Sequence, residues 1–105
     1  MVRRRFPRVP IEAPLLVRKM GVGLTGDMRG QCLNLSEGGA AGMVSGEFLP
    51  GQVVLMELVL PNSADAVRLN ARVRHQEEMV CGFEFLAPEP AALESIRRIC
   101  APSSL

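Results

Sequence analysis

VRLNARVRHQEEMVCGFEFL, residues 67–86, decides the fold of this chain. Val67, Leu69, Ala71 and Val73 point one way while Arg68, Asn70, Arg72 and Arg74 point the other, the period-two pattern of a strand with one wet face. Gln76, Glu77 and Glu78 make a turn. Met79 to Leu86 then returns as the partner strand, with Cys81, Phe83 and Phe85 on one side and Val80, Gly82, Glu84 and Leu86 on the other. The segment reads as an antiparallel hairpin, and the rest of the chain repeats its grammar.

Upstream, the alternation of Ile11, Ala13, Leu15 and Val17 predicts a first strand over Ile11 to Met20. Gly21, Gly23, Gly26 and Asp27 mark a turn. Met28 to Leu35 forms a second strand and Ala40 to Val44 a short third, separated by the polar, glycine-containing turn Asn34 to Gly39. Pro50 and Gly51 break the chain before Val53 to Leu60, an apolar run that predicts a strand buried on much of both faces. The turn Pro61-Asn62-Ser63 leads back to the hairpin. Downstream of Pro88-Glu89-Pro90, the spacing of Leu93, Ile96, Ile99 and Cys100 becomes helical, with Glu94, Arg97 and Arg98 on the wet side. Residues 1–10 are basic and contain Pro7 and Pro10, which supply no donor to a sheet ladder, so they read as an arm outside the sheet. Six strands and one helix predict an all-β domain, a six-stranded antiparallel barrel whose closure removes strand edges. The helix, over residues 89–101, caps an open end or covers an outer strip. One domain spans residues 1–105, with the barrel over 11–86.

Bulk properties narrow the function. A chain of 105 residues is the size of one domain, and its apolar runs fall far short of the roughly 20 residues that cross a bilayer. Pro7, Pro10 and Glu12 interrupt what would be the apolar part of an export signal, so a cytoplasmic location is expected. Cys32, Cys81 and Cys100 are widely spaced and His75 is the one histidine, a pattern that supports neither a disulfide framework nor a metal site. Reduced, buried thiols are expected instead. Met20, Met28, Met43, Met56 and Met79 lie within strand patterns and read as core and gap filler. No serine, cysteine or carboxylate stands with His75 in a catalytic arrangement, so an enzyme is not expected.

The charge is unevenly distributed. Residues 1–20 hold six bases against one acid, net +5, whereas residues 21–105 hold six bases against ten acids, net −4. Arg3, Arg4, Arg5 and Arg8 concentrate guanidinium groups, whose planar donor forks match phosphate oxygens and the O6/N7 edge of guanine. Taken alone, such a cluster is more often a solvated or nonspecific anion-binding tail. The segment Asn34-Leu35-Ser36-Glu37-Gly38-Gly39, taken alone, is more often a structural turn in which Asn34 and Ser36 hold backbone donors and glycines adopt positive φ. The row Arg68, Arg72 and Arg74 is most economically the wet face of a strand. Arg74 or His75 would reach a ligand on the barrel only if their strand neighbours the Asn34 to Gly39 turn.

The two segments together carry more. Arg4-Arg5-Phe6-Pro7-Arg8 has the form R-x-x-x-R, and residues 34–39 have the form N-x-S-x-x-G. In this order and separation, with Gly82-Phe83-Glu84-Phe85 in the last strand and a terminal helix, the chain resembles the PilZ domain family over nearly its whole length. The resemblance implies a barrel that binds the bacterial second messenger cyclic di-GMP, without catalysis of its own and with no cofactor. It assigns ligand contacts to Arg4 and Arg8 on the arm and to Asn34, Ser36 and Gly39 on the turn. A basic residue immediately before the first motif, here Arg3, goes in that family with binding two intercalated nucleotides. Guanidinium stacking on a guanine face supplies the physical reason. Arg5 receives no role. The residues suit this ligand chemically: arginine forks for phosphate or guanine, an amide and a hydroxyl for edges, and a glycine that admits either positive φ or close backbone approach.

With no output module among these residues, the effect on a protein partner would be exerted in trans, on motility, adhesion, polysaccharide secretion or transcription. Two other readings compete. One is a PilZ-fold interaction module that works without the nucleotide, although such relatives typically lack one or both motifs. The other is a small barrel for single-stranded nucleic acid, which four phenylalanines and the absence of tryptophan and tyrosine supply poorly with stacking surfaces.

Overall fold

The computed structural model describes residues 7–20, 26–61 and 65–101. The strands are β1 (Val9–Lys19), β2 (Met28–Leu35), β3 (Gly39–Val44), β4 (Val53–Leu58), β5 (Val67–Glu77) and β6 (Val80–Phe85), followed by the helix α1 (Pro90–Cys100). They close into an antiparallel barrel in the order β1-β2-β3-β6-β5-β4. The inward positions foreseen for the 67–86 hairpin are the buried ones: Val67, Leu69, Ala71, Val73, Cys81, Phe83 and Phe85 all lie in the core. Each apolar face meets its counterparts across the barrel, where Leu35, Met56, Leu58, Val17 and Val54 are fully buried.

Several expectations need correction. β1 begins at Val9, so Val9 and Pro10 belong to the sheet rather than to an arm. Pro10 is tolerated because β4 pairs with β1 only over Leu15–Lys19, leaving Pro10 with β2 on one side alone. β4 ends at Leu58 and is buried on one face: Val54, Met56 and Leu58 point in, while Val53, Leu55 and Glu57 are half-buried. A closed antiparallel barrel leaves the outer face to solvent, and Glu57 there pairs with Arg68 at 2.7 Å. The hairpin turn sits at Glu78 and Met79, later than foreseen, because a bulge between Val73 and His75 consumes a residue of β5. Glu78 takes φ 57°, the left-handed conformation that closes this turn. Among the described methionines only Met56 is fully buried, whereas Met20, Met43 and Met79 are 50 %, 42 % and 49 % exposed. Met43 falls on the outer side of β3 by simple alternation with Val44, and Met79 stands in the turn. The predicted turns at residues 21–25 and 62–63 lie outside the described residues, apart from Gly26, Asp27 and Pro61.

Helix α1 starts with Pro90, whose missing N–H and fixed φ suit a first turn, and ends with Arg97 and Arg98 where cations favour the helix C-terminus. It buries Ala92, Ile96 and Cys100, with Leu93 and Ile99 half-buried. The Cys100 thiol donates to the Leu35 carbonyl at 3.4 Å, and Arg97 pairs with Glu37 at 2.8 Å. The helix therefore caps the end of the barrel where β2 turns into β3. No described helix is long and apolar enough to cross a membrane.

Candidate functional site

The turn between β2 and β3 is built around one hydroxyl. Ser36, 6 % exposed, is the one buried polar side chain among the described residues. Its Oγ accepts from the N–H groups of Gly38 and Gly39, each at 3.2 Å, and donates to the Gly39 carbonyl at 3.3 Å. The Ser36 N–H also donates to the Gly39 carbonyl, at 2.8 Å. A buried hydroxyl must be satisfied in this way or cost stability, and here it serves as the latch of the turn. The Gly38 carbonyl accepts from Phe85 N–H at 2.9 Å, so the turn is fastened to β6 as well.

One of the two roles considered for Gly39 is removed. Its φ is not in the left-handed region, so the positive-φ alternative does not hold. A Cβ at this position would fall well inside contact distance of the Phe83 backbone carbonyl oxygen. The glycine lets β3 approach β6 closely at the lip of the turn.

Asn34 lies two residues before Ser36, at a register shift in the β2–β3 pairing between Cys32 and Asn34. Bulges re-aim side chains, and here the Asn34 amide is turned outward and half-buried. Its Oδ1 accepts a hydrogen bond from Nη1 of Arg8 at 2.8 Å. Residues 26 apart in sequence thus meet, and the last arginine of the first motif touches the first residue of the second. Arg3 and Arg4, together with Arg5, lie outside the described residues. Of the six predicted contact residues, the structure brings Arg8, Asn34, Ser36 and Gly39 to one end of the barrel.

Strand register extends this site across the outer surface. Pro10, Asn34, Ala41, Gly82 and His75 fall on one line over β1, β2, β3, β6 and β5. The middle of that line is floored by small residues. The His75 ring lies over Gly82, where a Cβ would collide with it. β5 does not neighbour the turn, since β6 stands between β5 and β3. Arg74 is directed to Glu84 at 3.4 Å, and Glu84 is the register partner of Gly39.

Two neighbours of the turn were not foreseen: Glu37, inside the second motif, and its partner Arg97, which was assigned only to solvent. Their contact spans 60 residues of sequence, and no local pattern announces a pairing at that distance. Arg97 and Arg74 are each matched there by a carboxylate, Glu37 and Glu84, so Arg8, bonded to a neutral amide, is the cation beside this backbone-rich turn that is suited to an anionic ligand.

The cysteines behave as buried thiols. Burial pushes the Cys32 thiol up to about 11, with the nearby Cys100 adding to it, and burial likewise raises Cys81 and Cys100. These groups are protonated at neutral pH and are poor nucleophiles or metal ligands. No cluster of three or more metal-ligating side chains occurs among the described residues.

A family model described as "PilZ domain" matches residues 2–101. Among solved structures, the chain is similar to the Bacillus subtilis inhibitor of motility MotI/DgrA, with a TM-score of 0.77 and 16% identity over 95% of this chain. It spans half the length of that protein. The PilZ domain of YcgR from Escherichia coli with c-di-GMP gives a TM-score of 0.74 and 16% identity, covering 94% of this chain and 89% of that one. The PilZ domain of CeSA from a cellulose-synthesizing bacterium gives 0.69 and 22%, covering 89% of this chain and 94% of that one. No curated protein matches the chain.

Proposed function

Because the chain belongs to the PilZ domain family, we propose that it is a cyclic di-GMP receptor that changes conformation on binding and acts on a protein partner in trans. The observation that carries this reading is the Arg8–Asn34 hydrogen bond of 2.8 Å, which joins the two motifs at one end of the barrel. Similarity to a YcgR domain solved with c-di-GMP supports the ligand class. The matched inhibitor of motility supports a regulatory output, with motility or exopolysaccharide control in the cytoplasm as the setting. The receptor has no catalytic step and needs no cofactor.

In this reading Arg4 and Arg8 supply the forks for phosphate or guanine O6/N7, and Arg3 stacks between bases so that two nucleotides bind per domain. The Arg8 guanidinium donates to the Asn34 amide oxygen, a contact that a ligand anion would replace. Binding exchanges a neutral amide acceptor for an anionic one, and charge-assisted hydrogen bonds are about twice as strong as neutral ones. Asn34, once released, offers its amide to a guanine edge. Ser36 acts chiefly by holding the turn, so that the backbone and the short side chains there are fixed before the ligand arrives. The physical driver of signalling is the ordering of the basic arm over the barrel surface.

Isothermal titration of the full chain with cyclic di-GMP tests the reading. A stoichiometry of two per domain is expected, and Arg8→Ala loses on the order of 1–3 kcal/mol of binding, by analogy with bidentate guanine contacts. An absence of heat at micromolar concentrations in low and moderate salt refutes the nucleotide, and a stoichiometry of one refutes the role given to Arg3.

A further inference from the structure

The end of the barrel away from the Ser36 turn has an unusual surface. Met43 near the end of β3 and Met79 in the β5–β6 turn are 42 % and 49 % exposed, and Leu49 in the loop after β3 is 74 % exposed. Met43 and Met79 are neighbours by register and hydrogen bonding. Met43 pairs with Val80, and Val80 pairs with Glu77 on β5. The Val44 N–H donates to the Met79 carbonyl at 2.9 Å. Gln76 ties the loop to the same tip, its Oε1 accepting from Phe48 N–H at 2.9 Å and its Nε2 donating to the Gly46 carbonyl at 2.8 Å. The stretch Gly46 to Phe48, with Glu47 inside it, is therefore held against Gln76, next to Glu77.

Most acids away from this tip are paired, although Glu12 and Glu89 are not. Asp27, Glu37, Glu57, Glu84 and Glu94 each stand within 4.0 Å of an arginine. The side chains of Glu47, Glu77 and Glu78 make no hydrogen bond or ion pair among the described residues. Lys19, on the neighbouring rim, lies over the Phe48 ring at 5.4 Å. Exposed, adaptable methionines mark an interaction surface, and the unpaired carboxylates beside them select the sign of what binds.

We propose that Met43 and Met79, edged by Glu47, Glu77 and Glu78, form the docking surface for a basic protein segment that carries apolar side chains, such as an amphipathic helix with lysines flanking its apolar stripe. The apolar side chains seat on the methionines while the cations meet the three free carboxylates. Anionic lipid and nucleic acid are repelled by the same rim. The proposal takes from the preceding reading that the domain acts on a protein partner, and its test needs no nucleotide.

The test uses the full chain with methionine methyl groups labelled for NMR, assigned through Met43→Leu and Met79→Leu. The probe is a synthetic amphipathic helix of leucine, methionine and lysine, and the control replaces its lysines with glutamate. The basic peptide is expected to shift the Met43 and Met79 methyl signals saturably, more weakly at higher salt, and to leave buried Met56 unmoved. The double variant Glu77→Lys/Glu78→Lys binds it about tenfold more weakly. Equal binding of both peptides, no binding, or shifts that bypass Met43 and Met79 overturn the proposal. Shifts that grow with protein concentration alone, with a dimer in sedimentation, also overturn it by giving the surface to a second copy. Peptide binding that persists in a sample unresponsive to cyclic di-GMP upholds the surface and removes only the nucleotide reading.

Discussion

Replacing Ser36 by Ala isolates the latch of the β2–β3 turn. The substitution deletes one donor and one acceptor in a site that is 6 % exposed. The Gly39 carbonyl keeps the Ser36 N–H at 2.8 Å, so the acceptor side is still served. The Gly38 and Gly39 N–H groups lose their 3.2 Å partner. Gly38 is half-buried and water can reach it, but Gly39 is buried and pays most of the desolvation penalty. An orphaned buried donor costs roughly 1–3 kcal/mol, so a loss of about 2 kcal/mol is expected. For a domain of this size that corresponds to a fall in Tm of roughly 8 °C. Thermal unfolding by circular dichroism measures it, and titration of the same sample with cyclic di-GMP should show weakened binding because the turn is no longer fixed. A variant that keeps the wild-type Tm within about 2 °C while losing ligand affinity would refute the reasoning. The hydroxyl would then be a ligand contact and not a structural latch.

Other consequences follow from the same geometry. Gly39→Ala drives a Cβ into the Phe83 carbonyl and should destabilise the fold by about 1–3 kcal/mol, read from denaturant midpoints; an unchanged midpoint would show that β3 can move away from β6. Cys32 has its folded pKa raised from 9.0 to about 11, so the native state holds the proton more tightly and stability present below pH 9 is lost as pH rises through about 11. Cys32→Ala should flatten that alkaline fall, and an equally steep one in the variant assigns it to other groups. Arg97→Ala breaks an ion pair with Glu37 in which the arginine is 57% exposed, so a change of no more than about 1 kcal/mol is expected from chemical denaturation.

Elements with strong periodicity were legible from residues alone. The 67–86 hairpin alternates apolar and polar residues because one face of each strand is the barrel interior, and its buried residues are those the pattern marked, apart from Gly82, which the His75 ring covers on the outer face. β2 also matches its predicted range, Met28–Leu35. Legibility failed where a residue's surroundings came from other strands. Pro10 reads as a strand breaker, yet it is acceptable where β1 has a neighbour on one side only. Val53 to Leu60 reads as doubly buried, because valine and leucine carry no sign of which face a closed barrel leaves outside. Met43 and Met79 read as core, since a methionine in a strand pattern does not say whether another layer covers it. At the site, Asn34, Ser36 and Gly39 were recognisable as a motif, but the reason for Gly39 was not. That reason is a carbonyl 44 residues away.

What the sequence by itself determined is the alternation that makes strands, the turn chemistry that separates them, and the two short motifs that identify the family. These are local properties, set by side-chain direction and backbone conformation within a few residues. The tertiary structure decided what those residues touch. Closure of the barrel brought Arg8 to Asn34 across 26 residues and Arg97 to Glu37 across 60, and it turned the Ser36 hydroxyl into the buried centre of a turn. Hydrogen bonds and burial depend on distances set by all six strands together, so Arg8 of the opening segment meets Asn34 only when β1 and β2 are paired.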